Sequence, residues 1–404
     1  MLPYDKLILS QDTFKRDVIE TKRQTGEFNS LSKFELFIWD LEMYLQLQRI
    51  LQDEIVLKGG AATQFYIPVV AQRTSVDIDM LCRSTHNNVQ KAIREIEDRF
   101  GSDENFFRFR KYKPNEPKVG LSDLETYYVT VPSICSPDEL FTTKGKQEVK
   151  IEFLFTNQKF SISRIRSPKL FALETDEMFQ VLSLENLFAD KLTTLGPNTI
   201  GIPSERADEQ FKHLYDIITL FKSNMDQILG NTEKIVSHYE MVARKECHYH
   251  KIPYVRKVLL EDLLGFIKTI QRIEQSPTMI KKIDDFQSLY LRKEVSRDKT
   301  EWSIVGFQLE LLFHKLFNND KRIDKFQEIE KLCSNLQFKQ IQGPKKGEIN
   351  SKIRTLLQNR YGNIPNLSDG LFRKRNNRVI WELATYVDLE DLQYCINDAL
   401  SGRF

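Results

Sequence analysis

Residues 55–82, IVLKGGAATQFYIPVVAQRTSVDIDMLC, carry the pattern that decides the fold. IVLK is an apolar run of strand length that ends on a glycine pair. GAATQFYIP opens as a helix and is expected to stop at Pro68, because proline cannot continue the helical hydrogen-bond ladder. SVDIDMLC returns to strand character. Side chains alternate faces along a strand, so Asp77 and Asp79 project to one side while Ile78 points to the core. The order of elements sets a glycine turn beside two acids.

Two carboxylates this close repel each other unless a cation neutralises them, and Mg²⁺ suits such a hard oxygen site. Gly59 and Gly60 let the backbone approach a ligand closely, and the free N–H groups at the start of the following helix favour phosphate. Each feature also has a plain reading: a lone D-x-D is commonly a wet strand edge, and Gly-Gly a tight turn. The spacing is neither G-x-G-x-x-G nor a P-loop, which excludes those two modes of phosphate binding.

Outward from this stretch, LSKFELFIWDLEMYLQLQRILQDE (31–54) has apolar residues at helical spacing, and NNVQKAIREIEDRFG reads as a helix closed by Gly101. FFRFRKYK, ETYYVTVPSI and EVKIEFLF alternate like strands. The last of these places Lys150 and Glu152 on one face and Val149, Ile151 and Phe153 on the other, which makes Glu152 a candidate third carboxylate; an ion pair with Lys150 is its plain alternative. From about residue 180 the pattern is helical. SLENLFADKLTTLG is one helix, SERADEQFKHLYDIITLFK the next with Ser204 as its N-cap, and VIWELATYVDLEDLQYCINDAL the last. Breaks are expected at NQKFSISRIRSPK, PNTIGIPS and QGPKKGE.

The 404 residues suffice for two domains, and 41% apolar with 29% charged residues is ordinary for a globular chain. No uncharged apolar run reaches the roughly 18 residues of a membrane span, and the N-terminal MLPYDKLILSQDTFKRD lacks a signal-peptide pattern, so a cytoplasmic address is expected. Five scattered cysteines form no C-x-x-C pair and no disulfide framework. Cys247, His248 and His250 lack the second ligand cluster that a zinc site needs and read as a solvated helix end. Net charge is only +2, yet 336–378 holds ten basic residues (Lys339, Lys345, Lys346, Lys352, Arg354, Arg360, Arg373, Lys374, Arg375 and Arg378) against Glu348 and Asp369. Such a stretch is either a nucleic-acid contact surface or a solvated face.

The combination of strand–Gly-Gly–helix, strand-borne D-x-D and a later acidic strand residue resembles the polymerase-β-like nucleotidyltransferase superfamily. LKGGAATQFYIPVVAQRTSVDIDML, with Arg73 and Ser75 ahead of the carboxylates, more closely resembles the opening motif of the AbiEii/AbiGii toxin family. LSLENLFADKLTTL and ADEQFKHLYDIITL look like that family's paired helices, carrying Lys191 on one and Lys212 and Asp216 on the other. Together these blocks cover residues 55 to 222. Departures are Gly60 where serine is frequent, Glu152 where aspartate is frequent, and long spacers at 61–76 and 192–205.

The element order suggests an α+β fold: a domain at 1–180, with a mixed β-sheet flanked by helices, then a mostly α-helical region at 181–404. The resemblance implies that the first is a nucleotidyltransferase domain and that the second contributes Lys191 and Asp216 to its site. It implies transfer of a nucleoside monophosphate from an NTP to an acceptor hydroxyl with release of pyrophosphate. Two Mg²⁺ ions would be held by Asp77, Asp79 and Glu152; Gly59, Gly60, Arg73, Ser75, Lys191 and Lys212 would serve the nucleotide, and Asp216 would fix Lys191. It also implies an RNA acceptor, a tRNA 3′ end in related members, and a toxin with a cognate antitoxin. Competing readings are a nucleotidyltransferase acting on a small molecule or a protein side chain, and a nucleotide-binding interaction module without turnover.

Overall fold

Seven strands form one mixed sheet: β1 (Ile55–Lys58), β2 (Asp77–Cys82), β3 (Arg108–Lys111), β4 (Leu124–Pro132), β5 (Lys146–Phe155), β6 (Ile162–Arg166) and β7 (Met178–Leu182). Their order is β3-β4-β5-β2-β1-β7-β6 in the computed structural model, which describes residues 3–101, 104–113, 123–135, 146–335, 345–362, 364 and 376–401. β2 runs parallel to β5 and antiparallel to β1, and β1 is parallel to β7. The pair β6 and β7 corrects the sequence reading, which took NQKFSISRIRSPK as a break. β6 is a half-exposed edge strand rich in serine and arginine, so it lacks an apolar signal; β7 is a five-residue apolar run that periodicity alone does not assign.

Alternation settles which face is core. Ile78, Met80, Cys82, Val149, Ile151 and Phe153 are fully buried on one side of β2 and β5, against α2 (Leu31–Leu51) and α4 (His86–Phe100). α1 (Arg16–Thr25) packs on α2 in turn. α2 is buried on nearly every side, including three of its acids. Glu35 accepts from the backbone N–H of Ile134 and Cys135 and from Gln147 Nε2. Glu42 accepts from the N–H of Ile8 and Leu9. These two carboxylates clamp distant backbone segments to the helix. Asp40 differs: neither of its oxygens has a partner among the described residues.

The other face of the sheet carries α3 (Gly59–Thr63), α5 (Leu184–Thr193), α6 (Ala207–Ser223), α7 (Met225–Gly230) and α8 (Thr232–His250). α3 is one short turn and not the helix to Pro68 that the sequence suggests. Gln64 and Gln72 take over there: Gln64 Nε2 donates to Gly60 O, Gln64 Oε1 accepts from Arg73 N–H, and Gln72 Nε2 donates to the carbonyls of Gln64, Ile67 and Lys169. Ser204 is likewise not an N-cap. It starts a single 3-10 turn, and α6 begins three residues later.

The chain divides into two compact units, Met1–Leu259 with Lys281–Ser296, and Leu260–Ile280 with Arg297–Phe404. The helical region expected from residue 181 is thus shared between them. α9 (Arg256–Gln271) and α10 (Pro277–Tyr290) cross the points of division. The second unit also holds α11 (Lys299–Asn318), α12 (Phe326–Cys333), α13 (Lys345–Tyr361), α14 (Asn376–Ala384) and α15 (Leu389–Ser401). α11 opens on a capping box between Asp298 and Glu301. α14 and α15 correct the expected single last helix. The break falls at 385–388, before a first turn that carries Glu390 and Asp391, a charge pattern that favours a new N-terminus. No helix of the described residues is long and apolar enough to cross a membrane.

Burial, then the fields of Asp77 and Asp79, push the Asp40 carboxyl well above its ordinary range. An acid whose folded pKa exceeds its unfolded value stabilises the fold fully only below the unfolded pKa, and that stability is lost as pH rises toward the folded value. Asp40→Asn is therefore expected to gain stability at neutral pH, on the order of 1 kcal/mol, and to flatten the decline above pH ~4. Urea titrations of both proteins across pH check this; a parallel decline in the two would contradict it.

Candidate active site

A row of side chains crosses four strands on the face opposite the core. Lys58 of β1 stands opposite Asp79 of β2, Asp79 opposite Glu152 of β5, and Glu152 opposite Thr126 of β4. Lys150 is the register partner of Asp77, one step along. The alternation read from DID and from KIE holds in both strands, and pairing brings Asp79 and Glu152 side by side.

Charge in this row is crowded. Burial, then Glu152 and Asp77, push the Asp79 carboxyl up to about 7. Glu152 goes the other way: burial opposes its charge, but Lys150 Nζ at 2.8 Å outweighs it, and Thr126 Oγ1 donates from 3.3 Å. The plain alternative for Glu152, an ion pair with Lys150, and its place beside Asp79 are both realised. Lys58 Nζ lies 3.3 Å from each oxygen of Asp190 on α5. Burial disfavours that ammonium, but Asp190 and Asp79 hold it above its ordinary value.

Gly59 serves this row by its missing side chain. Its φ is +71°, and a Cβ there would stand 2.1 Å from Asp79 Oδ2. Gly60 is constrained more softly, since its Cβ would meet Arg73 Nη2 at 2.8 Å and Ser75 Oγ at 2.9 Å. Lys58, at the N-cap of α3, gives its first turn no side-chain acceptor.

Behind the row, one carboxylate joins three segments. Asp216 on α6 receives Arg73 Nε on Oδ1 and Nη2 on Oδ2, each at 2.7 Å, while Lys191 Nζ of α5 reaches Oδ2 at 2.7 Å. All three are almost completely buried. Burial would raise the Asp216 pKa, yet Arg73 and Lys191 pull it down to about 2. Burial pushes Lys191 below its ordinary value despite Asp216. Its amine also lies 3.5 Å from His213 Nδ1. Lys212 is not the partner of Asp216; it lies over the Tyr290 ring, 4.2 Å from the centroid.

A cleft of about 690 Å³ opens over the row. Its walls include Lys58, Gly59, Asp79, Glu152, Lys191 and His213. Asp77, Gly60, Arg73, Ser75, Lys212 and Asp216 do not line it and stand beside or behind it. Lys58, Asp190, His213 and Glu246 line it without having been singled out from sequence. Lys58 carried one usable signal, a lysine closing an apolar strand directly before Gly-Gly.

Among the described residues no three His, Cys, Asp or Glu side chains converge as a ready-made metal cluster; Glu152 is turned toward Lys150. The row nevertheless fits a divalent cation. Asp77 and Asp79 share a face, and Mg²⁺ is commonly held by one or two carboxylates with substrate phosphates and water completing its shell. At the end of α8, Cys247 is buried and the helix closes on Lys251 in the left-handed region, so the ECHYHKIP segment is a helix end.

The family profile described as "Nucleotidyl transferase AbiEii toxin, Type IV TA system" matches residues 45–299, a span that takes in the row, the Asp216 cluster and the cleft. No curated protein sequence matches. Among solved structures, the chain is similar to the nucleotidyltransferase toxin MenT4 of Mycobacterium tuberculosis H37Rv, with 12% identity and a TM-score of 0.42 over 72% of this chain and 93% of that one.

Gly59→Ala should destabilise the protein well beyond the roughly 1–3 kcal/mol of positive-φ backbone strain and displace Asp79, while Gly101→Ala, at φ +77° in open space, should cost only such strain. Equal losses in thermal melts would contradict the steric role. Asp216→Asn leaves Arg73 and Lys191 buried without their counter-charge and is expected to cost about 3–5 kcal/mol. A loss below 1 kcal/mol in urea unfolding would show that the cluster is not what holds these segments.

Proposed function

The chain belongs to the AbiEii nucleotidyltransferase toxin family of type IV toxin–antitoxin systems, and from that footing we propose that it transfers a nucleoside monophosphate from an NTP to a hydroxyl at an RNA 3′ end. The observation that carries the reading is the row Lys58–Asp79–Glu152, which concentrates negative charge at a cleft wall and balances it only in part with lysines.

In this reaction an acceptor hydroxyl attacks the α-phosphorus, one P–O bond forms, and the bond to pyrophosphate breaks. Such chemistry needs positioning and charge neutralisation more than covalent help. Asp77 and Asp79 would hold Mg²⁺, with Glu152 joining them on the acceptor side; bound there, the ions supply charge neutralisation and activation of the acceptor hydroxyl. The chain's own groups do the rest. Gly59 keeps the approach to Asp79 open, and the uncapped first turn of α3 at Gly59–Gly60 offers N–H groups to the triphosphate. Lys191, oriented by Asp216 and Arg73, presents positive charge at the cleft wall. Ser75 and Arg73 back the Gly-Gly turn from behind.

The family supports the further reading that the transfer inhibits growth and that a cognate antitoxin restrains it; a tRNA 3′ end as the acceptor is our extension of that reading. The basic stretch at 336–378 gives mixed support. Lys352 pairs with Asp398, Arg360 with Asp391 and Arg378 with Glu382, so these cations are engaged within the protein. Lys339, Arg373, Lys374 and Arg375 lie outside the described residues.

Incubation with each labelled NTP, Mg²⁺, total RNA and cell lysate should place label in RNA. Asp77→Ala and Asp79→Ala should each lower incorporation at least about a thousandfold. Removing either crowded carboxylate relieves like-charge repulsion, so the melting temperature without metal should hold or rise. Full activity in either variant would sink the assignment, and label in protein or a small molecule would replace RNA as acceptor.

A further inference from the structure

The catalytic cleft does not end at Glu152. Along β5 the same-face residues Glu152 and Leu154 line the cleft, and the next residues, Phe155 to Gln158, line a second cavity of about 930 Å³. At ~3.3 Å per strand residue, its near end lies roughly 10–15 Å from the carboxylate row. Tyr249 of α8 lines both cavities, so the two adjoin at its ring.

The second cavity is a groove with two kinds of wall. One is cationic: Arg83, Arg244 and Lys245 all line it, and none has a carboxylate within ion-pair distance among the described residues. Each is steadied by an aromatic ring. Arg83 lies over Phe160 at 4.8 Å, Arg244 over Tyr254 at 3.9 Å and Lys245 over Tyr249 at 5.5 Å. The other wall is aromatic, with the rings of His86 and Phe155 3.8 Å apart and Tyr249 beside them. The two acids that line the groove are engaged: Glu240 holds Arg256 at 2.7 Å, and Asp123 accepts from Tyr249 Oη at 3.5 Å.

Cations without an ion-pair partner among the described residues, set beside aromatic rings, form the kind of surface that a single-stranded nucleic acid uses, since cations track phosphates and rings stack on bases without demanding one sequence. We infer that this groove receives the single-stranded 3′ end of the acceptor RNA and delivers its terminal hydroxyl past Tyr249 to Glu152 and Asp79. The inference rests on the RNA reading above and adds the path, the polarity and the residues. The last nucleotides occupy the groove unpaired, and the body of the acceptor lies beyond Arg83 and Arg244.

The test is equilibrium binding of a fluorescent, unstructured oligoribonucleotide by anisotropy across salt concentrations, using the full chain. Arg83→Glu/Arg244→Glu should weaken binding at least about tenfold at 0.1 M salt and make the log–log salt slope shallower by roughly one to one and a half, as expected for two lost phosphate contacts on a single strand. Arg244→Gln/Lys245→Gln should give a smaller loss in the same direction. Arg16→Glu, an exposed change on α1, should leave both readouts unchanged. Both groove arginines are exposed, so circular dichroism and melting should match the wild type. Unchanged affinity and slope in the double variant, or a wild-type protein that does not bind the oligonucleotide, overturn the groove. The failure of the functional reading looks different: RNA bound through the groove, with no label transferred to any RNA from any NTP.

Discussion

The Asp216 carboxylate, shared by Arg73 and Lys191 in a fully buried position, is the interaction on which the site depends. A buried charge pair contributes little net stability by itself, because desolvation opposes the attraction, but loss of one partner is costly. That asymmetry makes the cluster a registration device. It fixes the segment leading into β2 against α5 and α6, and so sets where the cleft wall stands relative to the carboxylate row. The cluster carries two cations on one anion, and the excess positive charge faces a row with excess negative charge; Asp79 lies within the field felt by Lys191.

The sheet separates two uses of buried acid. On the apolar side, Glu35 and Glu42 of α2 accept backbone N–H groups and hold the fold together, while Asp40 has no partner among the described residues. On the opposite side, Asp77, Asp79 and Glu152 share one face with lysines beside them and, among the described residues, no backbone donors to satisfy them. Carboxylates that bond backbone need no ligand. Carboxylates that repel each other at the wall of an open cleft are stabilised by a cation and by the phosphates it brings.

Period-two alternation made the shared face of Asp77 and Asp79 legible in the sequence, and likewise the face of Lys150 and Glu152. What stayed hidden was register: nothing local states that Glu152 pairs with Asp79, or that Lys58 completes the row, because strand pairing is decided by the whole sheet. Lys191 and Asp216 stood out only through the family resemblance, and Arg73, the second cation on Asp216, lies 143 residues from it. Nothing in the sequence marks Asp190 as the residue that holds Lys58. The edge strand β6 and the five-residue β7 were missed because one is too polar and the other too short to show a period, and the last helix was read through a break that only its charged new start betrays.

The central claim is that the Asp77–Asp79 pair is crowded because it is built to share a divalent cation with a nucleotide. The most direct measurement is calorimetric titration with a nonhydrolysable analogue of each NTP, with Mg²⁺ and with EDTA, on the wild type and on Asp79→Asn. The account predicts that Mg²⁺ strengthens nucleotide binding in the wild type and that this gain disappears in the variant while the fold is kept. Nucleotide binding indifferent to Mg²⁺ in the wild type, or an undiminished Mg²⁺ gain in Asp79→Asn, would contradict it.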